Sequence, residues 1–278
     1  VHTPHRHFGL GDYWRTSFDR RIQTFVGPGI ATKVAYRPDG STRYFYRNGT
    51  AWQKRAEQSD ALADVLDGGG AVAGWKLTLA DDTREFYDLQ GRVNAIVDAS
   101  GWTQTVSYDA DDRVASVVDS FGRTLSFSYD DEGGLASVAT PDGTIRYGLD
   151  GRNYLMSVTY PDGSQRQYRY LEPAYSDPAG PPGLLTGIVD ENGARFATYR
   201  YDGAGRGWST EHGEGANRYT IAIGATTTVT DPLGIEVIDR FPDAADIRVL
   251  AGVDGEAEAA THDGQEVLPE FGRAADAL

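Results

Sequence analysis

Residues 87–109 read Tyr87-Asp-Leu-Gln-Gly-Arg-Val-Asn-Ala-Ile-Val-Asp98-Ala-Ser-Gly101-Trp-Thr-Gln-Thr-Val-Ser-Tyr108-Asp109. The Tyr-Asp pair recurs at Tyr108-Asp109 and Tyr129-Asp130, in steps of 21 residues, and Asp98-Ala-Ser-Gly101 becomes Asp119-Ser-Phe-Gly122 one step later. A fixed period of this length marks a repeat architecture in which no unit buries its apolar face alone. In Tyr87-Asp88-Leu-Gln-Gly91-Arg92 the aromatic ends a strand and the Asp opens a turn. Its carboxylate can accept a backbone N–H two residues on, and Gly tolerates the positive φ that closes the turn. Val93, Ala95 and Val97 fall at every second position, the period of a half-buried strand. Asp98 to Gly101 makes a second turn, and Trp102, Gln104, Val106 and Tyr108 form the returning strand. One repeat is thus two strands and two turns of an antiparallel meander.

The pattern spreads outward. Asp142-Gly143, Asp162-Gly163 and Asn192-Gly193 read as turn dipeptides of the same kind. Leu149-Asp150-Gly-Arg152 keeps the register with Leu in place of Tyr, 20 residues after Tyr129, and Tyr170 follows 21 later. Residues 172–183, with four prolines, form a loop insertion because Pro cannot donate to a ladder. The repeat resumes at Leu184 and runs through Asp190-Glu-Asn-Gly193 to Tyr201-Asp202-Gly-Ala-Gly205-Arg206. Thr226-Thr-Thr-Val-Thr-Asp231-Pro-Leu-Gly234 reads as one more strand and turn. The fold expected is all-β: tandem antiparallel hairpins in a curved, spiralling sheet. Residues 1–35 form an opening segment, 36–253 the array and 254–278 a divergent or disordered tail. Short helices are expected over Asp60–Leu66, followed by a flexible Gly68-Gly-Gly70, and over Pro269–Leu278.

These strings resemble the Rhs or YD-repeat family: Tyr-Asp-x-x-Gly-Arg at 87–92 and 201–206, Pro-Asp-Gly at 141–143 and 161–163, and Thr-Val-Thr-Asp-Pro-Leu-Gly at 228–234. Phe8-Gly-Leu-Gly with Trp14-Arg-Thr-Ser-Phe-Asp-Arg-Arg21, Tyr36-Arg-Pro-Asp-Gly40 and Gly74-Trp-Lys-Leu-Thr78 are similar to the part that opens an Rhs core. The resemblance spans roughly residues 8–250. It implies a large antiparallel sheet wound into a hollow shell around a variable C-terminal polypeptide, usually a toxin. Members often travel by type VI secretion, and animal relatives are cell-surface adhesion proteins. Complete shells are much longer, so the chain looks like the N-terminal part of a core. The partners implied are a toxin or the remainder of the core, and secretion-apparatus proteins. Open terminal edges invite pairing with another chain. The resemblance also implies an aspartate autoprotease segment with Asp-Pro-x-Gly; Asp231-Pro-Leu-Gly234 matches it superficially, but a second downstream Asp-Pro element is missing.

Composition bounds the alternatives. The 278 residues carry 34 Gly, 12 Pro, 16 Tyr and a net charge of −15. An acidic chain lacks the basic face that nucleic acid or an anionic membrane requires. Cysteine is absent, which excludes disulfides, thiol catalysis and cysteine-ligated zinc. No signal peptide is visible at Val1 and no apolar run is long enough for a membrane helix; the expected route is secretion or delivery after cytoplasmic synthesis. His2, His5 and His7 cluster without a carboxylate at helical spacing. Ser209-Thr-Glu-His212 lacks a nucleophile elbow and reads as a turn. Asp111-Asp112 and Asp130-Asp131-Glu132 lack the spacing of a calcium loop. A glycosidase would need paired carboxylates in a cleft, whereas turn formation explains these acids. No cofactor is expected. The reading is a non-enzymatic shell segment; the alternative is an aromatic surface for carbohydrate or cell-surface adhesion, built on Tyr rows such as Tyr108 and Tyr129.

Overall fold

A computed structural model describes residues 9–11, 13–27, 30–47, 49–56, 58–224, 226–239, 249–253, 256–260 and 266–267. They form antiparallel β-structure with a single 3-10 turn at Gly213–Gly215. The chain divides into two compact units, one built on Trp14–Gly143 and the other on Leu10–Tyr13 and Thr144–Glu266.

The first unit opens with β1 (Trp14–Arg15) and a four-stranded sheet of β2 (Arg21–Gly27), β3 (Ile30–Tyr36), β4 (Thr42–Arg47) and β5 (Trp52–Lys54), in that order. An eight-stranded meander comes next: β6 (Ala61–Leu66), β7 (Val72–Thr78), β8 (Arg84–Tyr87), β9 (Val93–Val97), β10 (Thr103–Tyr108), β11 (Val114–Asp119), β12 (Thr124–Tyr129) and β13 (Leu135–Thr140). The second unit continues the hairpins as β14 (Gly143–Leu149), β15 (Leu155–Thr159), β16 (Gln165–Tyr170), β17 (Leu185–Val189), β18 (Arg195–Tyr201), β19 (Gly207–His212), β20 (Tyr219–Ile223), β21 (Thr227–Thr230) and β22 (Glu236–Asp239). Further on, β23 (Val249–Val253) pairs with β24 (Glu256–Ala260). The tail helix expected over Pro269–Leu278 and the histidines 2, 5 and 7 lie outside the described residues.

The helix expected over Asp60–Leu66 is instead strand β6, paired with β7 along its whole length. Ala and Leu favour a helix locally, but the ladder with β7 overrides that preference. The glycine run after it is an ordinary turn of the array: Asp67 Oδ1 accepts the N–H groups of Gly69 and Ala71 at 2.8 and 2.9 Å.

A second correction concerns alternation. In β9 the buried residues are Val93 and Ile96, not Val93, Ala95 and Val97. The cause is a β-bulge: Tyr87 pairs with Val93, but Phe86 pairs with Ala95, so one residue of β9 has no partner. The bulge recurs. Tyr108 faces Val114 while Ser107 faces Ser116. Tyr129 faces Leu135 while Ser128 faces Ser137. The same slip occurs at Leu149, Tyr170 and Tyr201. An extra residue shifts the side-chain phase by one, so the buried pairs run i, i+3: Val93 and Ile96, Val114 and Val117, Leu135 and Val138, Leu155 and Val158. Returning strands keep simple alternation, with Gln104 and Val106, Leu125 and Phe127, or Ile145 and Tyr147 buried.

Candidate functional site

The repeat residues assemble into turns with one recurrent geometry. Asp88 Oδ1 accepts the N–H groups of Gln90 and Arg92, both at 2.9 Å, while Gly91 N–H donates to the Asp88 carbonyl. Asp109, Asp119 and Asp202 bind N–H groups at i+2 and i+4 in the same way, and Asp130 does so at 3.0 and 2.7 Å. Asp98 accepts Trp102 N–H and the Ser100 hydroxyl. The fourth position lies at positive φ. It is Gly91, Gly101, Gly122 or Gly205 in most turns, but Asp112 (φ 68°) in the Asp109 turn. Left-handed backbone is costly for any residue with a Cβ. Asp112 offsets that by receiving Arg92 at 2.9 Å and Arg21 at 3.2 Å.

The Pro-Asp-Gly turns differ. At 160–164 the Asp is third, not first: Gly163 N–H donates to the Tyr160 carbonyl, and Asp162 accepts Ser164 N–H and its hydroxyl, which holds the carboxyl below its ordinary range. Around Asp142-Gly143 the connection is shorter. β13 ends at Thr140, β14 begins at Gly143, and Thr140 Oγ1 accepts Asp142 N–H. This missing turn residue explains the 20-residue step from Tyr129 to Leu149.

Each signature Tyr has a fixed use. Tyr108 OH donates to the Val93 carbonyl at 2.8 Å, Tyr129 OH to Val114 at 2.9 Å, Tyr170 OH to Leu155 at 2.9 Å and Tyr201 OH to Leu185 at 2.8 Å. The acceptor is always the residue that opens the preceding bulged strand. The guanidinium of the preceding turn covers the ring: Arg92 lies 4.9 Å from the Tyr108 centroid and Arg113 4.4 Å from that of Tyr129. Those arginines also pair with their own turn aspartates, as do Arg123 with Asp119 and Arg206 with Asp202. For Asp109, Asp119 and Asp202, burial pushes the carboxyl up but N–H and guanidinium donors outweigh it and hold it below the usual range. Burial, with Asp19 nearby, pushes the Tyr108 and Tyr129 phenols up.

Tyr87 stands apart because it is fully buried. Its hydroxyl donates to Glu85 Oε2 at 2.5 Å. Glu85 has no exposed surface and also pairs with Arg20 and with Arg37, the latter reaching Oε1 at 2.8 Å. Burial pushes the Glu85 carboxyl up, but Arg37, Arg20 and Tyr87 outweigh it and hold it at about 2. This cluster fastens the opening segment to β8. A second fastening is made by Lys33, whose Nζ sits 3.3 Å from the Trp75 ring centroid, and by Asp64, which receives Arg47 and, at 2.8 Å, Trp52 Nε1. The charge of the opening segment is visible in the sequence, its partners are not: residues 14–55 hold nine Lys or Arg against two Asp or Glu in an otherwise strongly acidic chain.

A recess of about 700 Å³ in the first unit is lined by Asp19, Arg21, Arg92, Tyr108, Arg113 and Tyr129 among others. Its arginines are paired with turn carboxylates, and Asp19 accepts Thr16 N–H at 2.5 Å. Burial pushes the Asp19 carboxyl up to about 6. Among the described residues no group of His, Asp and Glu is placed to hold a metal ion. Ser209 and His212 point to opposite faces of β19, and the His212 ring packs on Phe196 at 5.1 Å. Asp231 makes the ordinary turn, accepting Leu233 and Ile235 N–H.

No curated protein matches the sequence. Among solved structures, the chain is similar to the crystal structure of TcdB2-TccC3-Cdc42, at 12% identity and a TM-score of 0.39, over 84% of this chain and 16% of that one. It is also similar to the Photorhabdus luminescens Tc holotoxin pore carrying the mutation TccC3-D651A, at 14% identity and a TM-score of 0.37, over 88% of this chain and 15% of that one. This chain therefore spans about one sixth of those chains. The family model of the RHS Repeat matches three overlapping windows, 87–124, 108–145 and 129–165, each opening on a signature Tyr. Residues 87–165 are RHS repeats.

Proposed function

We propose that this chain is a wall segment of an Rhs-type shell that encloses a C-terminal toxin for delivery to another cell. The observation that carries this reading is the constancy of the repeat. The bulge recurs at Tyr87, Tyr108 and Tyr129, 21 residues apart, so these hairpins turn their buried apolar residues to the same face. A wall built this way extends by adding hairpins and works by exclusion: antiparallel pairing closes it, and no bond is made or broken. Bacterial competition, and a secretion system as the carrier, belong to the same proposal.

The carbohydrate reading gains less support, because the Tyr108 and Tyr129 hydroxyls are used by backbone carbonyls and their rings lie under Arg92 and Arg113. The test is protease protection. The complete gene product, with any polypeptide encoded downstream, is purified and treated with a broad-specificity protease before and after denaturation. Protection of the downstream polypeptide only in the native state is expected; its digestion at the same rate in both states refutes an enclosing role.

A further inference from the structure

We propose that β2 pairs edge to edge with β2 of a second copy of this chain, antiparallel, about a twofold axis passing beside Phe25. Among the described residues the four-stranded sheet ends at β2. At its start β2 is covered: Ile22 N–H donates to the Gly91 carbonyl at 2.8 Å and Arg21 bridges Arg92. Beyond that point Thr24, Phe25, Val26 and Gly27 are exposed, with Val26 at 85% and Phe25 at 44%.

Backbone polarity alternates along a strand. Because Ile22 turns its N–H away from β3, Thr24 and Val26 turn theirs the same way, to the open edge. Exposed edges are ordinarily blunted by charge, proline or a bulge. Gln23-Thr24-Phe25-Val26-Gly27 has none of these: it has no charged side chain, and its pairing with β3 runs without a slip from Arg21 to Gly27.

The edge is complementary to itself. A dyad at Phe25 sets Thr24 opposite Val26 of the other copy. Both residues point outward, so each pair exchanges two main-chain hydrogen bonds, four across the axis. Phe25 then meets its own equivalent at a non-hydrogen-bonded position, where side chains approach most closely. Phe25 lies in register with Thr32 and Tyr46, and Gln23 with Val34 and Tyr44. The half-exposed rings of Tyr44 and Tyr46 therefore share the face of Phe25 and widen the apolar contact. The contact is isologous and closes as a dimer.

Sedimentation of the full chain between about 1 and 100 µM, spanning the ordinary range of modest affinities, is expected to show a monomer–dimer equilibrium. Val26→Pro removes an outward N–H and leaves the β2–β3 ladder intact. Losing two main-chain bonds per dimer should weaken association about thirtyfold. Phe25→Lys, which places like charges opposite each other, should abolish it. Both variants should keep the wild-type circular dichroism. Because the chain has no cysteine, a single thiol reports the axis: Phe25→Cys should cross-link rapidly under a mild oxidant, since such pairs have Cα atoms about 4.5 Å apart, and Thr24→Cys should lag. A wild type that stays monomeric throughout, a dimer indifferent to V26P and F25K, or cross-linking no faster at 25 than at 24 overturns the proposal.

Discussion

Replacing Glu85 with Gln tests the fastening between the opening segment and the repeat array. The change keeps shape and removes one charge. It leaves Arg37, almost wholly buried, and Arg20, mostly buried, without their anionic partner. Breaking a buried pair by removing one member costs about 3–5 kcal/mol. An independent route gives a similar figure: a carboxyl held at about 2 rather than 4.5 corresponds to about 3 kcal/mol of preferential stabilisation of the charged form. For a chain of this size about 3 kcal/mol lowers Tm by roughly 6–12 °C. Tryptophan fluorescence is the assay, because Trp52 lies in the opening sheet and Trp75 packs against its Lys33. The sign of the pH dependence is fixed. A depressed carboxyl pKa stabilises fully above 4.5 and loses its effect as pH falls towards 2, so the gap between wild type and E85Q should close across that window. Adding Arg37→Met should recover part of the loss by removing the orphaned cation. An E85Q protein melting within about 2 °C of wild type at pH 7, where a kcal/mol is worth about that much, would mean that the Glu85 pairs do not hold the opening segment to β8.

Asp19 should behave oppositely. Its carboxyl is pushed up to about 6, so its charged form opposes folding above that pH, and the penalty fades as pH falls from 6 to 3.8; Asp19→Asn should raise Tm at pH 7 and leave it unchanged at pH 3.5. Gly91→Ala drives a methyl group into the Ile22 carbonyl oxygen, whereas at Gly101 an added Cβ meets nothing. In urea denaturation Gly101→Ala should cost only the positive-φ strain of about 1–2 kcal/mol, and Gly91→Ala clearly more. Tyr108→Phe and Tyr201→Phe each remove one hydroxyl-to-carbonyl bond and should cost about 1 kcal/mol, adding in the double variant because the two hydroxyls serve different carbonyls on different strands.

What the sequence made legible was local. The turn at Asp88–Gly91 can be read from four residues, because Asp accepts nearby N–H groups and Gly accepts positive φ. The same chemistry at Asp67 was obscured by three glycines, and β6 by an Ala and Leu content that suits a helix. The bulge left no local mark. Val93-Asn-Ala-Ile-Val97 fits alternation as well as it fits the i, i+3 pattern, and only pairing with β8 decides between them. The fastening by Glu85 was illegible for another reason: its partners lie 65 and 48 residues earlier in the chain, where no spacing rule applies. Nor does a Tyr-Asp dipeptide reveal that its ring lies under an arginine of the preceding turn; that contact exists only once the hairpins are stacked.

Twenty-one residues, bulge included, return the chain to the same face of the sheet. Inserting a second copy of Asp109–Tyr129 directly after Tyr129 tests it, compared with the same insertion shortened by one residue within Val114–Asp119. The 21-residue insertion should unfold cooperatively with a Tm close to that of the parent, and the 20-residue insertion, which reverses the faces of the residues that follow the deletion in its strand, should lose cooperative unfolding. Equal stability of the two insertions would contradict it.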